Sequence, residues 1–364
     1  MIHTNEEMQQ IQKRFIDLEI KSFAREVIEF IDDSPSAYHA VKNSSDILEE
    51  NGFQRLNPRE EWKLKKGGQY FVKQSNSAII AFTVGKDVDL SRGFKIFGSH
   101  TDSPCFRIKP NPEMITENIV RLNTEVYGGP ILSTWFDRPL SIAGRVILRT
   151  NDPFFPRTVA IKFDEPLMTI PNLAIHQNRD VNNGVKIDRQ KDVLPVIGLM
   201  NETFEKDNFL LNYIFDKINL KKEDVLDFDL YVYNTEKGCL LGANEEFISA
   251  PRIDNLVSVY AGLLGLVESE HNQKQINVFV AFDNEEIGSA TKQGADSNYL
   301  IHTLERIVLG LGYTRENFLR MLSGSFMLSA DAAHAAHPAH MNKTDPTSRG
   351  RINEGISVKI SARQ

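Results

Sequence analysis

The sequence predicts an α/β protein interrupted by a β-rich insertion, and three observations carry that reading. Short apolar runs at 78–84, 94–97 and 276–282 read as buried strands, and 326–329 reads as a further strand. Helical stretches at 256–267, 299–309 and 315–322 alternate with them, the texture of βαβ units and a mainly parallel sheet. Between them, alternating patterns at 141–148 and 158–163 and turn markers at Gly128-Gly129-Pro130 and Asn151-Asp152-Pro153 give a β-rich texture. The expected organisation is one domain in two parts, 1–106 and 248–364, with 107–247 inserted.

The remaining elements follow from local signals. Phe23, Val27, Ile28, Phe30 and Ile31 repeat at helical spacing until Ser34-Pro35-Ser36 interrupts them, and a second helix starts there. Within the insertion, 230–233 reads as a strand, 178–190 as irregular and 195–205 as helical.

Composition narrows the class. The chain has 364 residues, 41% hydrophobic and 25% charged, which is an ordinary globular make-up long enough for two or three domains. No apolar run is as long as a membrane span. The opening MIHTNEEMQQ lacks a basic stretch followed by an apolar one, so no signal peptide is expected. Two cysteines, Cys105 and Cys239, exclude a disulfide scaffold and a cysteine-rich zinc module, and predict a reducing, cytoplasmic setting. The net charge of −7 speaks against nucleic acid and anionic membranes as partners, since Lys63, Lys65 and Lys66 form only a short basic run.

Four polar clusters stand at the ends of apolar elements: His100 and Asp102 after 94–97, Asp254 before 256–267, Glu285 and Glu286 after 276–282, and Asp331 after 326–329. Ligands in open α/β sheets bind outside the carboxyl ends of the strands, so these groups converge if the strands share one sheet edge. Crowded carboxylates repel, and a divalent cation relieves them. Imidazole with carboxylates suits zinc, manganese or cobalt, and the lack of thiolates favours a catalytic site. One of two adjacent carboxylates can bind metal while the other takes a proton from water. Asp102, two residues after His100, could hold the imidazole in one tautomer. Taken singly, each has an ordinary reading: Asp254 an N-cap, Asp331 a turn residue, the two glutamates a solvated strand end.

Six strings, GSHTDSPCFRIKP, YGGPILSTWFDRPLSIAGRV, IPNLAIHQNRDVNNG, ISAPRIDNL, FDNEEIGSATKQGA and SADAAHAAHP, together resemble the M18 metallo-aminopeptidases, the aspartyl aminopeptidases, in the family's order. The resemblance runs from Ser34 to the last residue. It implies a phosphorylase/hydrolase-like, three-layer metallopeptidase domain with an inserted β-rich dimerisation domain, peptide substrates and a homo-oligomer, a dodecamer built from dimers. It also implies two divalent ions per subunit, usually zinc. Carried over residue by residue, it makes His100 and Asp331 terminal ligands, Asp254 the bridging carboxylate, Glu286 a further ligand, Glu285 the general base and Asp102 the residue that orients His100. His176 resembles a histidine of the inserted domain that reaches a neighbouring subunit's active site, and Lys359 a lysine that meets an acidic substrate side chain.

The family pattern continues for several dozen residues past Gln364 and includes one more histidine ligand. His334, His337 and His340 do not match that position. The expectation is a chain with little peptidase activity. Two other readings stay open: a non-catalytic assembly subunit, and another metal-dependent amide hydrolase on the same fold.

Overall fold

The structure is a computed structural model that describes residues 5–200, 209–269 and 273–360. Its strands are β1 (Gln54–Arg55), β2 (Gln69–Gln74), β3 (Ala78–Val84), β4 (Phe94–His100), β5 (Cys105–Thr116), β6 (Ile119–Tyr127), β7 (Leu140–Leu148), β8 (Arg157–Lys162), β9 (Val196–Leu199), β10 (Val225–Asn234), β11 (Cys239–Leu241), β12 (Phe247–Ser249), β13 (Ile276–Phe282) and β14 (Phe326–Ser329). Its α-helices are α1 (Asn5–Asp32), α2 (Ala37–Glu50), α3 (Phe209–Ile218), α4 (Ile253–Glu268), α5 (Tyr299–Gly310) and α6 (Arg315–Ser323).

The first sheet has the order β1-β2-β3-β13-β4-β14. Every residue of β3 is buried, which is why its run is apolar without alternation. Ile79 and Ala81 face one side with Phe71 and Phe279, against Ile31, Val41, Leu48, Val259 and Leu263 of α1, α2 and α4. Ile80 and Phe82 face the other with Phe94 and Val280, against Leu304, Ile307, Val308, Phe318 and Met321 of α5 and α6. The strand period of two thus feeds two cores, and the sheet is the middle of three layers.

This sheet is mixed, where the sequence predicted a mainly parallel one. β1–β2, β13–β4 and β4–β14 pair parallel, while β2–β3 and β3–β13 pair antiparallel. The reason is local. Ser75 and Asn76 adopt positive φ, 55° and 58°, and fold β2 onto β3 as a tight hairpin.

The second sheet, β8-β7-β10-β5-β6-β9, pairs antiparallel throughout. Phe106, Leu122, Ile142 and Val232 form its core with Leu210, Ile214 and Phe215 of α3. The helix expected at 195–205 is corrected here. Val196–Leu199 is β9, bonded to β6, and 201–208 lie outside the described residues. A short apolar run does not by itself distinguish strand from helix, and the β-branched Val196 and Ile197 suit a strand. α3, with Leu210 and Ile214 four apart on its buried face, is a helix the pattern reading did not include.

The two sheets are joined by a polar knot. Asp229 of β10 accepts hydrogen bonds from Arg145 of β7, Arg107 of β5 and Tyr38 of α2, and Arg145 also donates to the Ser75 carbonyl at 2.8 Å. Burial opposes the Asp229 charge, but the guanidinium of Arg145 holds its carboxyl below the usual range. Among the described residues, no helix is long and apolar enough to cross a membrane.

α4 lies unusually close to β4. A Cβ on Gly262 would stand 2.4 Å from the Phe97 ring, so only glycine admits this approach. Gly262→Val should therefore wedge α4 off the sheet and cost about 1–3 kcal/mol, read by urea unfolding. A loss below about 0.5 kcal/mol would show that Phe97 yields freely.

Candidate active site

β13, β4 and β14 run parallel and end together. Phe282 is in register with His100, Ser329 with Gly98, and Ala330 N–H donates to the Gly98 carbonyl at 2.8 Å. Their carboxyl ends deliver His100, Asp283 to Glu286 and Asp331 to one edge of the sheet. Asp254 comes from the start of α4. There Asn255 Nδ2 donates to the Ala330 carbonyl at 2.9 Å, and Ser103 Oγ donates to the Asp254 carbonyl at 2.8 Å. The first ties α4 to the end of β14, the second to the loop after β4.

His100 Nε2 is the focus. Asp254 Oδ1 lies 3.2 Å from it, Asp331 Oδ1 3.7 Å and Glu285 Oε2 3.9 Å. One ligand atom each from His100, Asp254 and Asp331 lies within 4.8 Å of the others. The imidazole is buried while the three carboxylates are about half exposed, so a fixed ring presents its nitrogen to an open cleft.

On its other side His100 meets Asp102. Nδ1 lies 3.1 Å from the Asp102 carbonyl and 3.3 Å from its Oδ1. Burial opposes a charge on His100, but the hydrogen bond and charge of Asp102, with Glu285 and Asp254, outweigh it and push its pKa up to about 9. Asp254 is raised by burial and by the facing Asp331. Burial, then Asp102 and Asp254, push Glu286 up to about 7. Burial and Asp102 likewise raise Asp283 to about 7. This is a site with too much negative charge for its solvation, which protons or a cation must relieve. An imidazole nitrogen and carboxylate oxygens converging on one point fit zinc, cobalt or manganese. Cys105 is no competing ligand, because burial raises its thiol far above neutrality.

The other expected site residues fall in different places. Glu286 lies outside the three-residue cluster, its carboxylate against the backbone of Gly128. His176 is exposed in the irregular stretch before β9, beside exposed Leu173 and Ile175. Lys359 is exposed. Two residues at the site were not singled out from sequence. Tyr127 closes β6 and bonds Asp102, and Asn284 turns the chain after β13 with φ 64°. The Asn in FDNEE, a residue tolerant of the left-handed region, was the available signal. Behind Asp102 and Asp254 a cavity of about 820 Å³ opens, walled by Tyr38, Tyr127, Tyr231 and Arg252.

The family described as aminopeptidase I zinc metalloprotease (M18) matches residues 30–364. The chain belongs to the M18 family. It is accordingly a metallo-aminopeptidase, a hydrolase. The chain is 55% identical over 343 residues to a probable M18 family aminopeptidase 2 of Clostridium acetobutylicum, covering 94% of this chain and 79% of that one. It resembles a cryo-EM structure of an Ape4 and Nbr1 complex with TM-score 0.90 at 34% identity, over 96% of this chain and 70% of that one. It also resembles the M18 aminopeptidase of Thermotoga maritima, with TM-score 0.77 at 25% identity over 92% and 74% of the two chains.

The electrostatics set the pH dependence of metal uptake by this M18 site. A cation competes with the proton on His100, whose pKa lies near 9. Affinity for Co²⁺ should therefore rise by roughly tenfold per pH unit between pH 6 and 8 from this group, with proton release on binding. Calorimetry in two buffers of different ionisation enthalpy reads both quantities. A flat affinity with no proton release would contradict it.

Proposed function

We propose that this M18 protein removes N-terminal residues from peptides, acidic residues first, using two divalent ions of which zinc is the expected metal. The observation that carries the reading is His100 Nε2 facing Asp254, Asp331 and Glu285 within 4 Å. In this reading His100, Asp254 and Asp331 would hold the ions, and Glu286 would add a further ligand. Burial and the nearby Asp102 and Asp254 raise the Glu286 carboxyl, and a bound cation would favour its ionised form.

A metal held there would supply Lewis-acid chemistry, favouring attack on the scissile carbonyl and easing deprotonation of a water. Glu285 takes the proton of the attacking water and returns it to the leaving amine. Its carboxylate is half exposed in the cleft, while its backbone N–H is fixed on Asp102 at 3.1 Å, so the base is anchored but free to swing. Asp102 orients His100. The cavity behind Asp102 and Asp254 has room for an amino-acid side chain.

The acidic preference rests on the resemblance of Lys359 to the family lysine. A homo-oligomer is supported by the apolar surface around His176, where Leu173, Ile175 and Val185 are about half exposed. Packed against a second copy, that loop would bring His176 to the neighbour's cleft.

Whatever the level of turnover, purified protein loaded with zinc or cobalt should release N-terminal Asp and Glu from short peptides faster than Leu or Lys. A chelator should stop it, and an N-acetylated peptide should resist. Release from the acetylated peptide would make the protein another kind of amide hydrolase. Glu285→Gln should lower kcat by about 10²–10⁴-fold while leaving metal content intact. Near-normal turnover in that variant would remove Glu285 from its role.

A further inference from the structure

We propose that Tyr127, a residue of the second sheet, is a positioning residue for the metal centre: it holds Asp102 so that His100 turns Nε2 toward the cluster. This rests on the M18 reading of the site and adds a component to it.

The hydrogen-bond directions around Tyr127 are fixed by the groups available. Asn284 Oδ1 accepts from Thr291 Oγ1 at 2.8 Å and from Gln293 Nε2 at 3.0 Å. Those two bonds settle the amide orientation, so Asn284 Nδ2 can only donate, and it donates to Tyr127 Oη at 2.9 Å. The single hydroxyl proton of Tyr127 is thereby sent the other way, to Asp102 Oδ2 at 2.7 Å. His100 Nδ1 meets Asp102 twice, at 3.1 Å from its backbone carbonyl and at 3.3 Å from its carboxylate Oδ1. With its Nδ1 proton committed, neutral His100 has its lone pair on Nε2, the atom that faces Asp254, Asp331 and Glu285. Two sets of donors therefore converge on Asp102, one anchored by Thr291 and Gln293 through Asn284 and Tyr127, the other being His100 Nδ1.

Asp102 has no slack in this arrangement. It is 4% exposed. Its Oδ1 accepts from Glu285 N–H at 3.1 Å and faces His100 Nδ1, and its Oδ2 accepts from Glu286 N–H at 3.1 Å and from Tyr127. The Tyr127 bond is the shortest of the four. Removing the hydroxyl leaves a buried carboxylate oxygen with one donor, and the carboxylate must rotate to find another. A rotation withdraws Oδ1 from both His100 Nδ1 and the Glu285 N–H, leaving the ring only its contact with the Asp102 backbone carbonyl. The ring of Tyr127 packs edge-on against Tyr231, with centroids 5.7 Å apart, and that contact does not need the hydroxyl.

Tyr127→Phe separates this role from simple packing. Phenylalanine keeps the ring against Tyr231, so the metal-free melting temperature should stay within about 3 °C of the parent. Affinity for Co²⁺, measured by calorimetry on the full chain, should fall about 10–100-fold, and the visible spectrum of the cobalt protein should shift. At saturating Co²⁺, kcat on an N-terminal Asp peptide should fall by a similar factor with KM within about twofold. Unchanged cobalt affinity and spectrum would overturn the proposal, as would a loss that only follows a lowered melting temperature. If the parent protein binds Co²⁺ yet releases no amino acid, the peptidase reading fails, and the affinity comparison still decides the role of Tyr127.

Discussion

The molecule is organised around one electrostatic constraint: several carboxylates crowd a single buried imidazole at the edge of a sheet. Asp254, Asp331 and Glu285 lie within 4 Å of His100 Nε2, and Asp102 backs the ring. Such an arrangement is tolerable only where a cation is expected and the scaffold is stiff enough to resist the repulsion. The stiffness comes from three strands, β13, β4 and β14, that run parallel and stop at the same level. The close seat of α4 on β4 at Gly262 supplies the fourth arm, because α4 carries Asp254.

The second sheet takes part in this constraint. Its polar contacts with the first sheet and its helices include the Asp229 knot and the Tyr127–Asp102 bond. Neither is a large apolar contact. The Tyr127–Asp102 bond is buried and the Asp229 knot is half-buried, and charged hydrogen bonds so placed lose much if one partner goes. The metal-facing residues belong to the first sheet and its helices, and the residue that aims them belongs to the second. This explains why a β-rich unit lies directly on the mouth of an α/β site.

Much of this was legible in the sequence. The apolar runs of β3, β4, β13 and β14 are short and clean, because both faces of most of them are buried or the strand ends abruptly in polar residues. His100, Asp254, Glu285 and Asp331 were readable as a set because each adjoins such an element. The antiparallel pairing of β3 was not, since strand direction depends on the Ser75-Asn76 turn and not on apolar pattern. The strand at Val196 and the helix at Phe209 were missed for a related reason: short apolar stretches fit either periodicity until a partner is known. Tyr127 and Asn284 stand 157 residues apart, and no local pattern signals a hydrogen bond across that distance. His176 and Lys359 came only from resemblance. Both are exposed in the single chain, so any work they do depends on something beyond it.

The most direct test of the metal centre is anomalous diffraction at the zinc edge from crystals of the zinc-loaded protein. The expected result is zinc density bounded by His100 Nε2, Asp254 and Asp331, with Glu285 alongside. Zinc bound elsewhere, with these side chains unmoved and without metal, would contradict the assignment of the site and the chemistry built on it.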